Sequence, residues 1–120
     1  MNSKTEELLE RTFRFGVDCL KLIETLPKAK SYSIIAFQLS KASTSMGANY
    51  EEAQAAESSR DFVHKIGVVC KESRESNYWL RVLNEVLPVS IKTEKFLNLL
   101  NESLELKKIF ISIKLTAQKK

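Results

Sequence analysis

Apolar residues recur along most of this chain at alternating steps of three and four, the spacing that gathers side chains on one side of an α-helix. A first run, from about Thr5 to Leu26, puts Leu9, Phe13, Leu20 and Ile23 on its inner stripe, and Ser3-x-x-Glu6 reads as a capping box that opens it. A second, from about Ser33 to Ala56, has the seam Ile35, Leu39, Ala42, Met46, Asn49, Ala53, Ala56. A third, from about Arg60 to Leu87, follows Ser58 and Ser59, both good N-caps, and carries Asp61 in its first turn, where a negative charge meets the positive helix end. Its seam is Phe62, Ile66, Val69, Ser73, Ser76, Leu80, Leu83, Leu87. A fourth, from about Ile91 or Thr93 to Leu115, presents Phe96, Leu97, Leu100, Leu104 and Ile111 on two adjoining faces. Both prolines fall where the pattern breaks, after Leu26 and after Leu87.

No alternating strand pattern competes with these runs. Helices of about 25 residues, roughly 40 Å long at 1.5 Å per residue, joined by short loops, pack as antiparallel neighbours. The expected fold is all-α, an up-down-up-down four-helix bundle forming a single domain over residues 1–120.

The second helix is rich in small residues: Ala42, Ser43, Ser45, Gly47, Ala48, Ala53, Ala55 and Ala56. Such a surface suits either tight packing against a neighbouring helix or contact with another subunit. Gly47 costs about 1 kcal/mol in a helix interior relative to Ala, so a close contact is expected there. Asn49 falls on the apolar seam, where an unpaired amide would cost about 1–3 kcal/mol, so a buried partner is expected, with Ser73 or Ser76 as candidates.

Composition narrows the class. Hydrophobic residues make up 43% and charged residues 28%, ordinary for a globular protein. No stretch approaches the roughly 20 apolar residues of a membrane span, and the acidic start lacks the layout of a signal peptide, so a cytoplasmic protein without a membrane role is expected. Cys19 and Cys70 fall in separate segments at core spacing, which suits buried reduced thiols better than a zinc or redox pair. The net charge of +4 is unevenly spread: residues 1–106 hold 14 basic and 15 acidic residues, whereas residues 107–120 hold five lysines and no acid.

One segment carries a resemblance. Lys41-Ala42-Ser43-Thr44-Ser45-Met46-Gly47-Ala48-Asn49-Tyr50-Glu51-Glu52-Ala53 is followed in register by Asp61-Phe62, His64-Lys65-Ile66-Gly67, Lys71-Glu72-Ser73 and Glu75-Ser76-x-Tyr78-Trp79-Leu80. This resembles the four-helix-bundle family whose founding members are encoded by intervening sequences inside bacterial 23S ribosomal RNA genes. Cys70 departs from the small or aliphatic residue expected at its place. The resemblance implies a closed homopentamer of four-helix protomers with a basic surface and a role in binding nucleic acid; similar members act as accessory proteins of retroelement reverse transcriptases.

Two basic sets are the candidates for contact with RNA or DNA. One is the terminal cluster Lys107, Lys108, Lys114, Lys119 and Lys120, which no nearby acid offsets. The other is the stripe Arg60, His64, Gly67, Lys71, Arg74, Tyr78, Arg81, offset from the third helix's seam so that it faces outward. Against the stripe stand Asp61, Glu72 and Glu75, which are placed to pair with its cations as an ordinary solvated face. Against the tail, cations favour helix C-termini anyway. Tyr78 and Trp79 adjoin the core without lying on its seam, fitting a protomer contact, intrachain packing or base stacking. Gly47, Ala48, Tyr50, Tyr78 and Trp79 are the interface candidates; Asn49, Ser73 and Ser76 are the expected buried polar residues. No catalytic set, cofactor or metal site is expected. The one His lies on the outward stripe and no Glu-x-x-His motif occurs. The functional expectation is a non-enzymatic homo-oligomeric bundle binding RNA or DNA with low specificity; the alternative is a protein-interaction module.

Overall fold

Three of the four α-helices begin where a side chain satisfies a free N–H group of the first turn. In the computed structural model, which describes residues 2–119, α1 spans Ser3–Ile23, α2 Lys30–Ala53, α3 Ser59–Val86 and α4 Glu94–Gln118, with a short 3-10 turn at Val89–Ile91. Thr5 N–H donates to Asn2 Oδ1 at 2.8 Å, so Asn2 caps α1. The expected capping box on Ser3 is thereby corrected: Ser3 is already helical, and an equally good cap precedes it. Ser58 Oγ accepts from Asp61 N–H at 3.0 Å and caps α3, and Thr93 Oγ1 accepts from Phe96 N–H at 3.2 Å and caps α4. Helix α2 starts after the extended Ala29 with no side-chain cap, three residues earlier than its apolar pattern suggests. The ends also move inward: α1 stops at Ile23 and α2 at Ala53, after which Gln54, Ala55 and Ala56 close tighter i→i+3 bonds. Leu87 is extended ahead of Pro88, whose ring disfavours helical backbone in the residue before it.

Consecutive helices pack along their length, α1 on α2, α2 on α3 and α3 on α4, while α4 touches α1 only sparsely and α2 reaches α4 through the Tyr50 and Phe110 rings. The α1/α2 crossing is close. A Cβ on Gly16 would stand 3.2 Å from Ser43 O, and one on Gly47 would stand 3.2 Å from Thr12 O. As the α1 position rises from 12 to 16 the α2 position falls from 47 to 43, so these two helices run in opposite directions.

That approach decides which side of α1 turns inward. Thr12, Phe15, Gly16 and Cys19 are its buried residues, whereas Phe13 is 60% and Leu20 44% exposed. The stripe read from Leu9, Phe13, Leu20 and Ile23 is corrected in part: Leu9 and Ile23 pack partly buried against the core, whereas Phe13 and Leu20 are exposed because the close approach to α2 turns Thr12, Gly16 and Cys19 inward beside Phe15. In α4 the buried set is Phe96, Leu99, Ser103, Leu106 and Phe110; of the expected residues Phe96 belongs to it, Leu100 and Ile111 pack partly buried against it, and Leu97 and Leu104 are exposed, which corrects those two. The expected seams of α2 and α3 are largely kept, with two corrections. Asn49 is only half-buried, and its side chain donates to Ser45 O at 2.8 Å within its own helix. Tyr50 is buried, its ring meeting Phe110 edge-on at 5.1 Å, so it belongs to the protomer's own core rather than to a subunit contact. Among the described residues no helix is long and apolar enough to cross a membrane.

Candidate nucleic-acid interface

Helices α3 and α4 share one polar contact at the centre of their seam, and it sits on a residue that the apolar spacing passes over. Asn77 is 2% exposed. Its Nδ2 donates to Ser103 Oγ at 3.0 Å, while its Oδ1 accepts from Arg81 Nε at 3.1 Å and from Lys107 Nζ at 3.4 Å. The amide has only one workable orientation. Arg81 and Lys107 are pure donors and require the oxygen, and Ser103, whose hydroxyl donates to Leu100 O at 2.7 Å, is left to accept. Arg81 belongs to the α3 stripe and Lys107 to the α4 cluster, so the two basic sets that the sequence holds apart converge on one neutral oxygen.

Arg74 and Lys114 lie one heptad from these two cations, on α3 and α4 respectively, so each pair shares a helix face. Arg60, Lys71, Arg74, Arg81, Lys108 and Lys119 are exposed; Lys107 and Lys114 are half-buried; Lys120 lies outside the described residues. None of these cations forms an ion pair among the described residues. The expected pairing of the stripe with Asp61, Glu72 and Glu75 is thereby corrected, for a visible reason. Asp61 accepts from Lys65 Nζ at 3.1 Å and from Glu57 N–H at 3.1 Å. The Glu57 amide first, then Lys65, holds its carboxyl below the usual range. Glu72 turns to the α2 side, where burial first and then the neighbouring Glu75 raise its pKa, with the Ser45 hydroxyl opposing. On α3, Glu72 thus turns toward α2, with Lys71 beside it, while Arg81 turns toward α4.

Tyr78 is 49% exposed, stands edge-on to Trp79 at 5.0 Å, and has the Arg81 guanidinium over its ring at 5.6 Å. Arg81 is therefore held from two sides. Trp79 packs half-buried against the core, and Ala48 is exposed. Gly47 spends its missing Cβ on Thr12 of its own chain, which corrects its assignment to a subunit contact. Ser73 and Ser76 are buried, and each hydroxyl satisfies itself within α3, on Cys70 O and Glu72 O, rather than on Asn49.

Other chemistry is sparse among the described residues. No group of three or more His, Cys, Asp or Glu is placed to hold a metal ion. Burial pushes the Cys19 thiol up to about 12, and among the described residues Ser43 Oγ is the one buried side-chain oxygen without a hydrogen-bond partner. A cleft of about 760 Å³ opens between α1 and α4, floored by Phe15, Leu22, Leu87, Phe96 and Leu99, and holds none of the candidate residues. The forked pair Arg11–Glu102, at 2.6 and 2.9 Å, closes one side of that seam.

The family model for the 23S rRNA-intervening sequence protein matches residues 4–112, which includes Asn77, Arg81 and Lys107 and leaves out Lys114 and Lys119. A crystal structure described as a protein with unknown function from the S23 ribosomal protein family of Bacteroides thetaiotaomicron superposes with a TM-score of 0.79. It is 31% identical, over 92% of this chain and 97% of that one. No curated protein matches the sequence.

Proposed function

The chain belongs to the 23S rRNA-intervening sequence protein family, and we propose that it is a non-enzymatic helical bundle that binds RNA or DNA along its α3/α4 face. One observation carries the reading: Arg81 and Lys107, from separate basic sets, meet at Asn77 with no carboxylate to neutralise either. Unpaired cations where two helices meet, with Arg74 and Lys114 on the same helix faces, suit the charge of a phosphate backbone, and contact with phosphates reads no base sequence. Specificity is accordingly low.

Self-assembly is part of the proposal. In an up-down-up-down protomer the α1/α2 face lies opposite the cations, and it exposes Phe13 at 60%, Ile34 at 52% and Phe37 at 62%. Joining copies there, as in the closed homopentamer that the resemblance implies, would cover these side chains and leave every α3/α4 face free. Five copies of net charge +4 carry +20 together, and several weak sites then act on one strand. The same aromatics support a second reading, a module whose main partner is another protein.

Fluorescence polarisation with a labelled oligonucleotide, titrated from low to moderate salt, tests the first reading. Affinity should fall steeply with salt as neutralised phosphates release counterions. No binding at low salt contradicts it. A stoichiometric protein partner that survives nuclease treatment of the native complex supports the second reading.

A further inference from the structure

A buried asparagine beneath two cations is an unusual choice. An aspartate of the same shape would give Arg81 and Lys107 a direct ion pair, at the cost of the donor that Asn77 Nδ2 gives Ser103 Oγ and of burying a charge. The amide holds the two side chains in place and leaves their charge uncompensated. It accepts through Oδ1 alone, its Nδ2 is committed to Ser103, and it is 2% exposed, so it cannot itself meet a ligand.

The geometry of Arg81 completes the argument. Its Nε is taken by Asn77 and one face of the guanidinium lies over Tyr78, while the Nη1 and Nη2 edge makes no hydrogen bond to any described residue. That edge is a two-donor fork of the kind that grips two oxygens of a phosphate, fixed before the ligand arrives. Lys107 brings a third donor to the same place.

We propose that Arg81 and Lys107 form a discrete phosphate clamp for one phosphodiester group of a bound nucleic acid strand, with Asn77 as the positioning residue that sets both cations. The clamp rests on the nucleic-acid reading above and adds to it a single privileged phosphate site within an otherwise diffuse basic face.

Two variants test it in the polarisation titration, with thermal melting alongside. Asn77→Asp supplies the missing carboxylate: the expected result is affinity down about tenfold or more and a salt slope shallower by about one phosphate contact, in a protein whose melt shows that it remains folded. Arg81→Lys, at an exposed position, keeps the charge and removes the fork, and it too should weaken binding about tenfold. Inorganic phosphate and a nucleoside monophosphate are added as competitors. Displacement of the strand only at concentrations that act through ionic strength supports a site for polymeric phosphodiester; specific displacement at low concentration makes it a free-phosphate or nucleotide site and overturns the assignment. Wild-type affinity in Arg81→Lys overturns the clamp while leaving nucleic-acid binding intact, and loss of fold in Asn77→Asp leaves Arg81→Lys to decide. If the wild-type protein binds no strand at low salt, both readings fall.

Discussion

At the scale of single residues, small polar groups settle what the larger apolar ones leave open. Ser43 Oγ is buried without a partner, and such a group costs about 1–3 kcal/mol. Ser43→Ala should therefore melt at the same temperature or higher, stabilising by up to about 1 kcal/mol, and a loss larger than that would show that the hydroxyl has a role the geometry misses. Cys19, buried and pushed up to about 12, should stay unreactive toward a thiol reagent at neutral pH until the protein unfolds, together with the equally buried Cys70. Rapid labelling of the native protein would contradict this. Asn77 shows where sequence reading stopped. It lies four residues after Ser73, beside the seam and not on it, and nothing in a single sequence distinguishes a solvated asparagine there from one packed under a second helix. Asn49, which does fall on the seam, drew attention instead, yet it turns back onto its own helix.

At the scale of helices, the sequence read α2 and α3 well and α1 and α4 only in part, for a common reason. Helices α2 and α3 share the most extensive contact and keep a seven-residue seam. Helix α1 meets α2 through Thr12 and Gly16, so a stripe drawn through its apolar side chains misses the buried Phe15 and takes in the exposed Phe13 and Leu20. Gly16→Ala and Gly47→Ala each press a Cβ to 3.2 Å from a backbone oxygen of the facing helix, and overpacking of this kind should cost about 1–3 kcal/mol in spite of better helix propensity. At Gly67, where a Cβ would meet nothing within 4 Å, the same change should stabilise by up to about 1 kcal/mol. Thermal melts of the three variants check both signs at once. Asp61 and Glu72 on α3 give opposite pH signatures. Asp61, lowered in the folded state, contributes stability that is present above its unfolded pKa and lost as pH falls through its folded value. Glu72, raised in the folded state, has the reverse sign, and its ionisation costs stability as pH rises through that value. Glu72→Gln should accordingly raise stability near pH 7 and change little below pH 4, whereas Asp61→Asn should lower it near pH 7. Urea melts at the two pH values decide, and equal effects at both would contradict the assignment.

At the scale of the molecule, the bundle exposes Phe13 and Phe37 on α1/α2, turns Glu72 toward α2, and brings the unpaired Arg81 and Lys107 together where α3 meets α4. Both basic sets were visible as charge runs in the sequence. Their meeting was not, because it depends on a register between α3 and α4 that only folding fixes. The account turns on charge in one place rather than net charge in general, and a matched pair of variants separates the two. One changes Arg74, Arg81, Lys107 and Lys114 to Gln; the other changes Lys21, Lys28, Lys30 and Lys41 to Gln, removing the same formal charge from α1, α2 and the link between them. Polarisation titrations with one labelled oligonucleotide across a salt series should show the first losing at least tenfold in affinity with a shallower salt slope, and the second binding close to wild type. Equal loss in both variants, or wild-type affinity in the first, would contradict a nucleic-acid face between α3 and α4.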